Sequence, residues 1–137
     1  MASRILLVDD DERIRDVLAF LLMELGHEVK TAAGPDEARE LANQKGFHIA
    51  FVDNHLGSMK GTDLIPELAE LDPDLSFVIM SGTPDVEMAE DAIEKGVSGF
   101  LRKPFRVEEV LLCIDQVSWR KKIEKRLKTL KQDENPR

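Results

Sequence analysis

His48-Ile49-Ala50-Phe51-Val52-Asp53 is the stretch on which the fold turns. A short apolar run bounded by polar residues reads as a strand buried on both faces, as in parallel sheets. It ends on a carboxylate, and the loop Asn54-His55-Leu56-Gly57-Ser58-Met59-Lys60-Gly61 follows. Open α/β sheets place their ligands at such carboxyl ends of strands. Three further apolar runs end on reactive or charged residues. Ile5-Leu6-Leu7-Val8 leads into Asp9-Asp10-Asp11, Phe77-Val78-Ile79-Met80 into Ser81-Gly82, and Gly99-Phe100-Leu101-Arg102 into Lys103-Pro104.

Between these runs the apolar period changes to three and four. Ile14, Val17, Leu18, Leu21, Leu22 and Leu25 predict a helix from Glu12, capped by one of Asp9 to Asp11. Glu28-Val29-Lys30-Thr31 alternates and predicts an edge strand. Pro35 starts a second helix, which ends near Lys45-Gly46. A third runs from about Thr62 to Leu71, with Pro66 tolerable only near its first turn. Thr83-Pro84-Asp85 caps a fourth through Lys95, and a fifth begins near Arg106. Five strands alternating with five helices predict an α/β fold, a doubly wound five-stranded parallel sheet of order 2-1-3-4-5 with helices on both faces. That order makes Asp9, Asp10 and Asp53 neighbours.

The 137 residues fit one domain with a single core and an appendage. No apolar stretch approaches the ~20 residues of a membrane span, and no signal peptide is evident, so a soluble cytoplasmic protein is expected. The single cysteine, Cys113, excludes an internal disulfide and reads as a packing residue. Residues 1–118 carry a net charge of −13 and residues 119–137 one of +5. The acidic body is a poor partner for nucleic acid.

Clustered carboxylates repel unless a cation intervenes. Oxygen ligands favour a hard ion, Mg²⁺ or Mn²⁺, over zinc, and His27, His48 and His55 show no metal-ligand spacing with Cys113. A phosphoryl group bound there would find Lys103 and Ser81 for its oxygens, leaving Asp53 free to attack phosphorus.

The four motifs Val8-Asp9-Asp10-Asp11, Asp53, Met80-Ser81-Gly82 and Lys103-Pro104-Phe105 are each weak alone but specific in this order at strand ends. With them the chain resembles the receiver domain of two-component response regulators, chemotaxis-regulator-like and flavodoxin-like in fold, over residues 3–118. The resemblance implies that Asp53 is a phosphoacceptor served by the phosphohistidine of a sensor histidine kinase. It makes Asp10 a direct metal ligand, Asp9 an indirect one, and the main-chain carbonyl of His55 a further ligand. Ser81 becomes the switch hydroxyl, Lys103 the phosphate-pairing lysine and Phe100 the switch aromatic. Such a chain is a switch rather than an enzyme. Two positions depart from the family pattern: Gly57 stands where proline is usual, and His55 is an uncommon side chain at its position. His55 and Thr83 occupy positions that resemble those setting dephosphorylation rate.

Two other readings use the same residues. A binding module that never takes phosphate would tend to lack one of Asp10, Asp53, Ser81 and Lys103. An aspartyl phosphatase would need a second acid where His55 stands. On the fifth helix Val107, Val110, Leu111 and Ile114 are expected to pack, and beyond the body Trp119, Ile123, Leu127 and Leu130 continue an apolar stripe, with seven basic residues between Arg120 and Lys131. Residues 119–137 therefore read as a basic amphipathic extension of the last helix that frays from Gln132, suited to homodimer formation more than to DNA.

Overall fold

The computed structural model describes residues 2–134. Strand β1 (Arg4–Val8) is followed by α1 (Glu12–Glu24), β2 (Glu28–Ala32), α2 (Pro35–Gln44) and β3 (Ile49–Asp53). A two-residue pair, β4 (His55–Leu56) and β5 (Met59–Lys60), precedes α3 (Gly61–Leu71). Then come β6 (Ser76–Ser81), α4 (Val86–Glu94), β7 (Gly99–Arg102) and α5 (Val107–Glu134).

The main sheet is parallel, with order β2-β1-β3-β6-β7. Counted without the small hairpin this is the expected 2-1-3-4-5. All five residues of β3 are buried, because helices cover both sides. Alternation assigns each strand residue to one of two cores. Leu6, Val8, Ala50 and Val52 pack with Ala38, Ala42, Leu64 and Leu68 of α2 and α3. Ile5, Leu7, Ile49 and Phe51 pack with Leu18 and Leu22 of α1 and with Val110, Cys113, Ile114 and Val117 of α5. Burial pushes the Cys113 thiol up to about 11, in keeping with a packing role.

Local chemistry explains the helix starts. Asp11 caps α1, its carboxylate accepting from the N–H groups of Arg13 (3.0 Å) and Ile14 (3.4 Å). Asp85 caps α4 through the Met88 N–H at 2.8 Å.

Three expectations need correction. Pro66 is the sixth residue of α3, well inside the helix, since α3 begins at Gly61. Val107 and Leu111 do not pack: they are 45% and 42% exposed, because the buried face of α5 is set by Val110, Cys113, Ile114 and Val117. Helix α5 also continues through Glu134, so fraying does not begin at Gln132; the remainder of that predicted frayed end lies outside the described residues.

The loop after Asp53 folds into a small antiparallel hairpin. Leu56 pairs with Met59 and His55 with Lys60, leaving Gly57-Ser58 as a two-residue turn. Gly57 has φ +69°, while Ser58 is not in the left-handed region. That combination is the II′ hairpin turn, which wants glycine first. Proline, confined near φ −65°, would break it. The Gly57 departure is therefore the hairpin's own requirement.

Candidate functional site

Val8 pairs with Val52, so the next residues along β1 and β3, Asp9 and Asp53, lie side by side at the carboxyl edge. Asp9 is fully buried and Asp53 is 4% exposed, whereas Asp10 is exposed. One carboxylate oxygen from each of the three lies within 4.8 Å of the others. Such a set of oxygens could hold a metal ion.

Lys103, carried past the end of β7, reaches between the two buried acids. Its Nζ is 2.7 Å from Asp9 Oδ2 and 3.3 Å from Asp53 Oδ1. A carboxylate oxygen has two lone pairs, so with the Lys103 ammonium on one of them buried Asp9 Oδ2 keeps the other open. Asp9 Oδ1 accepts from the Asp11 N–H at 2.9 Å, and the Arg15 guanidinium donates to the Asp9 carbonyl at 2.8 Å.

Burial first, and the Asp9 charge second, push the Asp53 carboxyl up to about 6. Lys103 and the His55 N–H, 3.4 Å from Asp53 Oδ1, oppose the rise without cancelling it. For Lys103, burial alone would lower its pKa, yet the Asp9 and Asp53 carboxylates outweigh this and hold it above the ordinary lysine value.

Ser81 closes β6 one residue beyond Met80, the partner of Asp53 in the sheet. It is buried, its Oγ accepts from the Thr83 N–H at 3.1 Å, and its carbonyl accepts from the Lys103 N–H at 2.9 Å. Phe100 is not in the acid cluster. It is exposed on the edge strand β7, where it shares an open cavity of about 400 Å³ with Ser81, Pro84 and Met88.

A family model, the response regulator receiver domain, matches residues 5–115. The chain belongs to this family.

Taking a phosphoryl group is the general role of receiver domains in two-component response regulators. Among relatives, the DNA-binding transcriptional regulator NtrC of Azospirillum brasilense is 34% identical over 116 residues, covering 84% of this chain and 24% of that protein. This receiver thus spans about a quarter of that relative's length. NtrX from Brucella abortus superposes with a TM-score of 0.88 at 32% identity, over 96% of this chain and 31% of that one. A Burkholderia pseudomallei response regulator, solved with a phosphorylated aspartic acid, a calcium ion and citrate, gives 0.79 at 32% identity, over 92% and 74%.

Several receiver residues near the site escape a reading of the sequence. Asn54 is buried and stitches the site together. Its N–H donates to the Met80 carbonyl (2.9 Å), its carbonyl accepts from Gly61 N–H (3.0 Å), and its Oδ1 accepts from Thr62 N–H (3.4 Å). Gly61 lies directly against the Asp53 carbonyl, where a Cβ would collide with backbone. The two-residue turn that begins four residues before Gly61 is the available signal, since it folds the chain back onto Asp53. No helix among the described residues is long and apolar enough to cross a membrane.

Proposed function

We propose that Asp53 is the phosphoacceptor of this receiver and that the kinase phosphohistidine is its donor. The observation that carries this reading is the buried Asp53 carboxylate beside Asp9 and Asp10, with Lys103 held between the two buried acids. An Asp53 oxygen attacks phosphorus as the bond from phosphorus to the imidazole nitrogen breaks. The bonding pair leaves with the imidazole, and an acyl phosphate remains on Asp53.

The donor set fits a divalent ion of the Mg²⁺ or Mn²⁺ kind: its members are oxygens of three clustered carboxylates, and the single ammonium of Lys103 leaves their negative charge in excess. Asp9, Asp10, Asp53 and the His55 carbonyl would hold it. When bound it supplies positive charge to the carboxylates and to the phosphoryl oxygens. Lys103 then pairs with one phosphoryl oxygen and the Ser81 hydroxyl donates to another. Phe100 responds from the shared cavity wall as the switch aromatic.

On this reading residues 3–118 form a cytoplasmic switch rather than a turnover enzyme, and residues 119–137 transmit its state. Trp119, Ile123, Leu127 and Leu130 are all exposed at steps of four, four and three, which supports a homodimer through α5. Incubation with acetyl phosphate and Mg²⁺ tests the reading. One phosphoryl mass is expected, and Asp53→Asn should remove it. No adduct would favour a phosphate-independent binding module, and turnover of phosphate esters an aspartyl phosphatase.

A further inference from the structure

Pro66 has no N–H, so the carbonyl four residues earlier, that of Thr62, lacks the i to i−4 hydrogen bond that a helix interior otherwise supplies. Thr62 is buried, which makes water a poor substitute. The partner comes from another helix. Lys95, the C-cap of α4, donates from Nζ to the Thr62 carbonyl at 3.3 Å. The same ammonium lies 3.5 Å from Asp63 Oδ1 and 3.4 Å from Asp91 Oδ1.

Helix α4 is otherwise held by few side chains: Ala92 is its one buried residue, and Met88 packs half-buried against the same core. An open cavity of about 510 Å³, lined by Asn54, His55, Thr62, Thr83 and Asp91 among others, lies between α4 and the hairpin side of the site. The first turn of α3 is held from the other direction by Asn54, which takes the Gly61 and Thr62 N–H groups, and Gly61 rests on Asp53.

We propose that Lys95 is a positioning residue for the Asp53 site. Its ammonium replaces the N–H missing at Pro66 and so couples the C-terminal end of α4 to the turn of α3 packed against Asp53. A shift of α4 is then felt at Asp53 through Thr62 and Gly61, and the reverse. Only the consequence for phosphoryl transfer rests on Asp53 being the acceptor.

Five proteins test this: the native chain, Lys95→Met, Pro66→Ala, both together, and Lys95→Arg. Pro66→Ala returns an N–H to the Thr62 carbonyl. In the native background Lys95→Met should speed amide exchange at Ala92–Gly96 and Thr62 about tenfold. In the Pro66→Ala background the acceleration should fall below about threefold. Lys95→Arg, which keeps a charged donor, should stay near the native rate. The limiting rate of Asp53 phosphorylation at saturating acetyl phosphate should follow the same pattern. Equal acceleration in both backgrounds would mean that Lys95 acts through Asp63 and Asp91 alone, and would overturn the proposal, as would no acceleration at all. An unchanged phosphorylation rate alongside the expected exchange pattern would remove the coupling to Asp53. The expected exchange pattern with no phosphoryl adduct in the native chain would support the Lys95–Thr62 link and remove the acceptor reading instead.

Discussion

Lys103 sits closer to Asp9 than to Asp53, at 2.7 Å against 3.3 Å. The lysine proposed to bind phosphate thus rests on the fully buried acid and only partly offsets the charge of the intended nucleophile. A cation bound by Asp9 would loosen this hold and free the ammonium for an incoming phosphoryl oxygen. The resting site keeps its lysine paired, while burial raises the proton affinity of Asp53.

The raised Asp53 pKa gives a sign that can be tested. The folded value is about 6 against an ordinary 3.8, so the folded state binds the extra proton between about pH 4 and pH 6. Its contribution to stability is present below about pH 4 and is lost as pH rises through 6. In EDTA, Asp53→Asn should therefore be more stable than the native chain at pH 8 by about 1–3 kcal/mol. The gap should close near pH 4. Urea midpoints at the two pH values measure it, and a gap of equal size at both would contradict this account.

Metal binding should appear as stabilisation. Mg²⁺ at a hundred times its dissociation constant should add about 2.7 kcal/mol to unfolding. Asp10→Asn removes an exposed member of the cluster without disturbing the buried pair. It should weaken the Mg²⁺-dependent rise in melting temperature while leaving the metal-free melting temperature within a few degrees.

Gly61→Ala is expected to be costly, because the new methyl meets the Asp53 carbonyl. We expect a loss of about 1–3 kcal/mol and slower phosphorylation by acetyl phosphate. Gly82→Ala, with open space around its Cβ position, serves as the control and should be near neutral.

His55→Asn should change the lifetime of the acyl phosphate by about threefold or more without preventing its formation. The His55 side chain is exposed and lines the same cavity as Thr83, while its contact with Asp53 is through the main-chain N–H, which the substitution keeps. Decay of the phosphorylated mass over time is the measurement, and identical decay would argue against any part for this side chain.

Leu127→Glu places a charge in the exposed stripe of α5. If that stripe joins two copies, sedimentation should show a concentration-dependent dimer for the native chain and a monomer for the variant. A monomer in both cases removes the dimer.

Most of the site is legible in the sequence, and the reason is local. Asp9, Asp53, Ser81 and Lys103 each follow an apolar run, and run length and composition mark a strand end without knowledge of distant contacts. The hairpin is not legible, because strands of two residues carry no period, and Gly57 draws notice only as a missing proline. Pro66 departs from expectation for a different reason. Propensity places a proline in the first turn, but Lys95, far along the chain on another helix, supplies what the helix interior lacks. Burial along α5 fails at Val107 and Leu111 because hydropathy marks a helix's apolar residues without saying which of them the sheet covers.

Helix α5 runs unbroken for 28 residues, yet its buried contacts with the sheet end at Val117. Beyond it the Lys121 ammonium still donates to the Asp74 carbonyl at 3.1 Å, and the 13 residues from Lys122 to Glu134 extend about 20 Å at 1.5 Å per residue. Such a rod would behave as a lever with its fulcrum where α5 leaves the body. A tilt of about 5° at that point would carry the far end sideways by about 2 Å. A displacement too small to repack the core beside β7 therefore becomes a side-chain-sized movement at the tip.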